Sequence, residues 1–79
     1  MKVEIRLPEL GEDAEEKASV SRWLVNIGDI VNTGDDLIEL TTDKAAFTVP
    51  SPQNGVVVEL LVEEGDDVVA GDPLCIVES

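Results

Sequence analysis

A chain of 79 residues is long enough for one domain, residues 1–79, near the low end of what folds without disulfide or metal staples. Five basic residues against 18 acidic ones give a formal net charge of −13, a surface that repels nucleic acid and anionic membranes and favours basic protein surfaces. Histidine is absent and Cys75 is the only cysteine, which removes the usual general base, an internal disulfide and a four-cysteine zinc site.

The acidic pairs Asp35-Asp36, Glu63-Glu64 and Asp66-Asp67 raise the question of calcium. A calcium loop of the EF-hand type needs alternating oxygen ligands, a central glycine and a closing glutamate, and no such frame is present. These residues read as solvated turns, and no metal site is expected. No N-terminal apolar run resembles a signal peptide or a membrane span, so the chain is expected to be soluble. Dense Val, Leu and Ile runs, within a hydrophobic share of 43%, argue against disorder despite the charge.

In chain order, Lys2 to Leu7 alternates cleanly, with Val3, Ile5 and Leu7 on one face, and Pro8 ends this first strand. Leu10 to Lys17 is acidic and without strand period, an exposed loop in which 14–17 is too short to stand as a helix. Ser19 to Val25 is the next strand, and its broken alternation around Arg22-Trp23 marks a bulge or burial on parts of both faces. Gly28-Asp29 and Gly34-Asp35 punctuate a short Ile30-Val31 segment. Strands at Leu37 to Thr41 and Ala46 to Val49 follow, then a loop over Pro50 to Gly55. Val57 to Val62, the turn Gly65-Asp66, the short Val68-Val69, the turn Gly71-Asp72 and a last strand, Leu74 to Val77, complete the chain.

The second half repeats the first. At an offset of 37 residues Val20 matches Val57, Val25 matches Val62, and Gly28-Asp29 matches Gly65-Asp66. The same offset pairs Val31 with Val68, Gly34-Asp35 with Gly71-Asp72, Leu37 with Leu74 and Ile38 with Cys75. Neither copy can bury its apolar face alone, so the two pack on each other. The expected fold is all-β, a flattened barrel or sandwich of two small antiparallel sheets with an internal pseudo-two-fold. Cys75, standing where Ile38 stands, is a small buried hydrophobe in this scheme. Trp23 is assigned to the core.

Between the strands Leu37–Thr41 and Ala46–Val49 lies a short polar centre, which makes a hairpin with Asp43 and Lys44 at its tip. The centre has no glycine, so a type I turn fits better than a primed one. Lys44 is the only cation after Trp23. On the turn alone, it reads as a solvated lysine that keeps the hairpin from aggregating.

Leu7-Pro8-Glu9-Leu10-Gly11, Trp23-Leu24-Val25 with Gly28-Asp29, Thr42-Asp43-Lys44-Ala45, Val49-Pro50-Ser51-Pro52, Gly55, Gly65-Asp66 and Gly71-Asp72 together give this chain a resemblance. It resembles the lipoyl domain of the biotinyl/lipoyl attachment family, the carrier module of the acyltransferase subunit of 2-oxo acid dehydrogenase complexes, over almost its full length. The resemblance implies a barrel-sandwich hybrid with lipoate in amide linkage on Lys44. It implies that Asp43 and Ala45 flank the modified lysine and help orient it. It also implies that Gly11, Glu12, Asp13, Glu15 and Glu16 belong to a surface loop read by a partner, although those acidic residues fit a plain solvated loop equally well. The implied partners are a thiamine-diphosphate-dependent decarboxylase, the acyltransferase core, a flavin-dependent dihydrolipoyl dehydrogenase, and a lipoate ligase or lipoyl transferase. The domain itself would be a non-catalytic carrier, monomeric in isolation.

A biotin carrier domain shares the fold, but its lysine is typically flanked by methionines, whereas Met1 is the only methionine here. An unmodified β-sandwich used for docking is a third reading, which predicts no covalent change at Lys44. Many relatives have an acidic residue where this chain has Thr41. The residues Phe47-Thr48-Val49-Pro50 lean the reading towards the pyruvate complex. The chain reads either as an excised N-terminal piece of a longer acyltransferase, which its last residues favour, or as a free-standing carrier, in a bacterial cytoplasm or a mitochondrial matrix.

Overall fold

Apolar alternation becomes strands wherever one face can be buried, and in the computed structural model, which describes residues 1–8 and 17–79, these strands form two sheets. In chain order they are β1 (Lys2–Arg6), β2 (Ala18–Trp23), β3 (Ile30–Val31), β4 (Asp36–Thr41), β5 (Ala46–Pro50), β6 (Gly55–Leu60), β7 (Asp67–Val68) and β8 (Pro73–Glu78). One sheet has the order β1-β8-β6-β3 and the other β5-β4-β2-β7, with every pairing antiparallel. The expected all-β sandwich is present, with strand bounds within about two residues of those read from periodicity.

The 37-residue repeat is a repeat of structure. β2, β3 and β4 recur as β6, β7 and β8 at that offset. The bulge recurs too: the β2–β4 register shifts at Ser21, and the β6–β8 register shifts at Val58. That places the irregularity one residue before the Arg22-Trp23 step where alternation breaks. The outer strands β1 and β5 are also equivalents, at a different offset of 44, because the connections that follow them, to β2 and to β6, differ in length.

Four turns close alike. Asp29, Asp35, Asp66 and Asp72 each donate a main-chain N–H to the residue three before it, at 2.9–3.0 Å. Each Asp side chain accepts that residue's own N–H in return, at 2.8–2.9 Å. The glycine before each Asp has φ between +91° and +95°, the left-handed conformation a type II turn demands at its third position. These turns bring each short strand onto the opposite half: Gly28 N–H donates to Val57 O and Val57 N–H to Asp29 O, while Gly65 and Val20 do the same in the other copy.

The core lies between the sheets. Ile5, Val20, Leu37, Leu40, Val57 and Leu74 are among its buried members, and Ile38 and Cys75, equivalent in the repeat, are both fully enclosed. Trp23 departs from its core assignment. It is half-buried against the cluster, because its indole Nε1–H reaches out to the Val62 carbonyl at 2.8 Å. The molecule is elongated, 33 Å in its longest dimension.

Candidate functional site

The β4–β5 hairpin carries the residues singled out at its tip. Leu40 pairs with Phe47 and Thr41 with Ala46, and the pairing then gives way to Thr42, Asp43, Lys44 and Ala45. Thr42 N–H donates to Ala45 O at 2.9 Å. On the other side of the tip the Thr42 hydroxyl accepts the N–H groups of Lys44 and Ala45, both at 3.3 Å, and donates to Ala45 O at 3.3 Å. No described residue other than glycine has positive φ, so the tip is neither a type I′ nor a type II′ turn. Thr42 is the tip residue that sequence reasoning left without a role. The available signal was the habit of Ser and Thr hydroxyls to bond their own turn two residues on.

Asp43, Lys44 and Ala45 are all exposed. The ion pairs among the described residues are Arg6 with Glu4 and Arg22 with Glu39, and neither engages the tip. Lys44 thus presents a primary amine on a short, hydrogen-bonded turn, with no carboxylate partner among the described residues. Grooves of about 320 and 530 Å³ occur at the β1–β5 edges and beside Trp23, and neither is lined by a tip residue. Lys44 is exposed to solvent at the tip.

Gly11, Glu12, Asp13, Glu15 and Glu16 lie outside the described residues, and so do Glu9 and Leu10. The flanks of that stretch are described, and both lie at the end of the molecule that carries the tip. Leu7 exchanges hydrogen bonds with the turn that follows β7, its N–H to Asp72 O at 2.9 Å and its carbonyl from Gly71 N–H at 2.8 Å. Ala18 faces Val68, and Ser19 faces Thr41, the last paired residue before the tip. Met1 and Ser79 are joined at the far end of β1, where Met1 N donates to Ser79 O at 3.0 Å.

The remaining chemistry is sparse. Among the described residues no three or more Asp, Glu, Cys or His side chains are grouped to hold a metal ion. Burial pushes the Cys75 thiol up to about 11, so the sulfur stays a neutral thiol at neutral pH and is no nucleophile. The arrangement can present an amine for modification.

Comparison with known proteins agrees with this geometry. The family model described as "Biotin-requiring enzyme" (biotin/lipoyl) matches residues 3–77. The dihydrolipoyllysine-residue acetyltransferase component of the Haemophilus influenzae pyruvate dehydrogenase complex is 37% identical over 79 residues, which is 100% of this chain and 13% of that protein. The chain therefore spans about an eighth of that relative's length. The solution structure of the lipoyl domain of the Azotobacter vinelandii 2-oxoglutarate dehydrogenase complex is 26% identical with a TM-score of 0.74, over 98% of this chain and 96% of that one. Urea carboxylase from Kluyveromyces lactis superposes with a TM-score of 0.81 at 23% identity, over 99% of this chain and 6% of that one, which is a likeness of fold.

Proposed function

The chain belongs to the biotinyl/lipoyl attachment family, and from that premise we propose that it is a lipoyl carrier domain with lipoate in amide linkage on Lys44. The observation that carries this reading is the exposed amine of Lys44 at the centre of a hydrogen-bonded tip, flanked by Asp43 and Ala45. The likeness of the whole of this chain to part of a pyruvate dehydrogenase acetyltransferase favours lipoate over biotin and the pyruvate complex over its relatives.

The residues present fit the group. An exposed lysine on a turn held by its own main chain allows a ligase to approach from solvent, and no ion pair among the described residues must first be broken. When bound, lipoate supplies a dithiolane for acyl and electron transfer. The protein's part is placement. A rigid tip limits the conformers that must be ordered at each partner site. Amide formation removes the Lys44 charge and leaves Asp43 as the charged group of the tip. Tethering makes each delivery an effectively intramolecular encounter, set by the reach of the connecting chain. The partners on this reading are a thiamine-diphosphate-dependent decarboxylase, an acyltransferase core, a dihydrolipoyl dehydrogenase and the ligase or transferase that loads Lys44. The stretch containing Gly11, Glu12, Asp13, Glu15 and Glu16, whose flanks lie at the tip end, is the proposed surface by which the decarboxylase recognises the domain.

The test is the intact mass before and after incubation with ATP, lipoate and a lipoate ligase, with the site mapped by peptide sequencing. A lipoyl increment on Lys44 that is lost in Lys44→Arg supports the carrier reading. A biotinyl increment with biotin and a biotin ligase, and no lipoyl one, assigns the chain to biotin chemistry. A folded sample that takes neither group leaves the docking module.

A further inference from the structure

We propose that Thr42 is a positioning residue for the acylation of Lys44, its hydroxyl standing in for a main-chain carbonyl that the tip does not use. The inference rests on the lipoyl carrier reading. In a fully paired two-residue hairpin, the residues on either side of the turn exchange two main-chain hydrogen bonds. Here one is made, from Thr42 N–H to Ala45 O at 2.9 Å. The other donor, Ala45 N–H, goes to the Thr42 hydroxyl at 3.3 Å, and the Lys44 N–H shares that acceptor. Two donors of the tip thus converge on one side-chain oxygen, whose own hydrogen returns to Ala45 O.

The internal repeat supplies an independent observation. Position 79 is the equivalent of position 42 at the 37-residue offset, and Met1 is the equivalent of Ala45 at the offset of 44 that relates β1 to β5. There Ser79 N–H donates to Met1 O at 3.1 Å and the Ser79 hydroxyl donates to the same oxygen at 3.4 Å. A hydroxyl thus makes the same contact at both ends of the barrel. The difference is that Met1 N, free of a connecting turn, reaches the Ser79 main-chain carbonyl at 3.0 Å. Where the chain must turn through Asp43 and Lys44, the hydroxyl takes over the carbonyl's part.

The consequence falls on Lys44. Its N–H fixes the peptide plane between Asp43 and Lys44, and that plane sets the direction in which the Lys44 side chain leaves the tip. In the loading step the Nζ–C bond of the amide forms, the acyl–phosphate bond of an ATP-derived lipoyl adenylate breaks, AMP leaves, and the amine proton passes to solvent. The ligase must therefore receive Nζ along one direction, and a tip whose peptide plane rotates meets it less often.

The experiment compares Thr42→Val, which keeps the shape and loses the hydroxyl, with Thr42→Ser, which restores it. Loading is followed by mass with ATP, lipoate and a lipoate ligase, and amide exchange at Lys44 and Ala45 is followed without any ligase. For Thr42→Val, kcat/KM for loading is expected to fall about fivefold, the size of one net neutral hydrogen bond. The loss appears mainly in KM, the Lys44 and Ala45 amides exchange faster, and Thr42→Ser behaves as wild type. Wild-type kinetics in Thr42→Val, or an equal loss in Thr42→Ser, overturns the proposal. If the unaltered chain takes no lipoyl group, the carrier reading has failed, and unchanged exchange in Thr42→Val would then overturn the hydroxyl's role by itself.

Discussion

Gly55 opens β6 with a φ outside the left-handed region, so it is required for space rather than for conformation. A Cβ built on it would lie 2.6 Å from the Glu78 carbonyl oxygen, 2.6 Å from Val77 Cγ1 and 3.0 Å from the Glu78 carbonyl carbon. Two of the three obstacles are backbone of β8, the strand that pairs with both β1 and β6, so Gly55→Ala must part β6 from β8 or distort β8 itself. Overpacking of this kind costs about 1–3 kcal/mol. Replacing glycine where its conformation is ordinary returns about 0.4–1 kcal/mol by restricting the unfolded chain. A net loss of about 1–2 kcal/mol remains, which for a domain of this size lowers Tm by roughly 5–15 °C. The repeat contains its own control: Ala18 is the equivalent residue in β2 and is accommodated, only 1% exposed. The equivalent of Val77 is Leu40, which has no methyl branching from its Cβ. Gly55→Ala combined with Val77→Leu should therefore recover part of the loss, the carbonyl of Glu78 retaining the rest. Thermal and urea unfolding by circular dichroism measure this. A Gly55→Ala chain as stable as the parent, or a Val77→Leu change that deepens the defect, would refute the steric argument.

Two further outcomes follow from the turns and the core. Asp72→Ala removes a carboxylate that accepts the Val69 N–H in a half-buried turn and should cost about 1–2 kcal/mol in urea unfolding, whereas the same change at Asp35, in an exposed turn, should cost less; the reverse order would contradict the role of burial. Burial holds the Cys75 thiol protonated up to about 11, above the 9.0 of an ordinary thiol. The unfolded chain therefore loses that proton first, so this contribution to stability is whole below pH 9.0 and declines as pH rises towards 11. Cys75→Ala should flatten the alkaline part of the stability curve, and iodoacetamide should label the parent only when denaturant opens it.

The fold was legible because its signals are local or periodic. Glycine-aspartate pairs at a fixed offset mark turns, and alternation puts Ile38 with Leu40, and Cys75 with Val77, on one face. The partners of β3 and β7 were hidden, since a two-residue strand has no face pattern and the sheet it joins depends on the turn that aims it. The equivalence of β1 with β5 escaped notice because it runs at 44 rather than 37 residues. Trp23 was assigned by size and hydrophobicity, which say nothing of the carbonyl its indole seeks. At the tip, Asp43, Lys44 and Ala45 stood out by motif, and Thr42 did not, because its contribution is a hydrogen bond to its own neighbours.

The two halves are interleaved more than stacked. Of the six strand pairings, β2–β4 and β6–β8 lie within a half, while β1–β8, β3–β6, β4–β5 and β2–β7 cross between halves. Neither half can be peeled away with its hydrogen bonds intact, so unfolding should be a single cooperative event. A protease cut between Asp43 and Lys44 would sever none of these pairings. It would leave a two-chain molecule held as an exchanged pair, each half completing the sheets of the other.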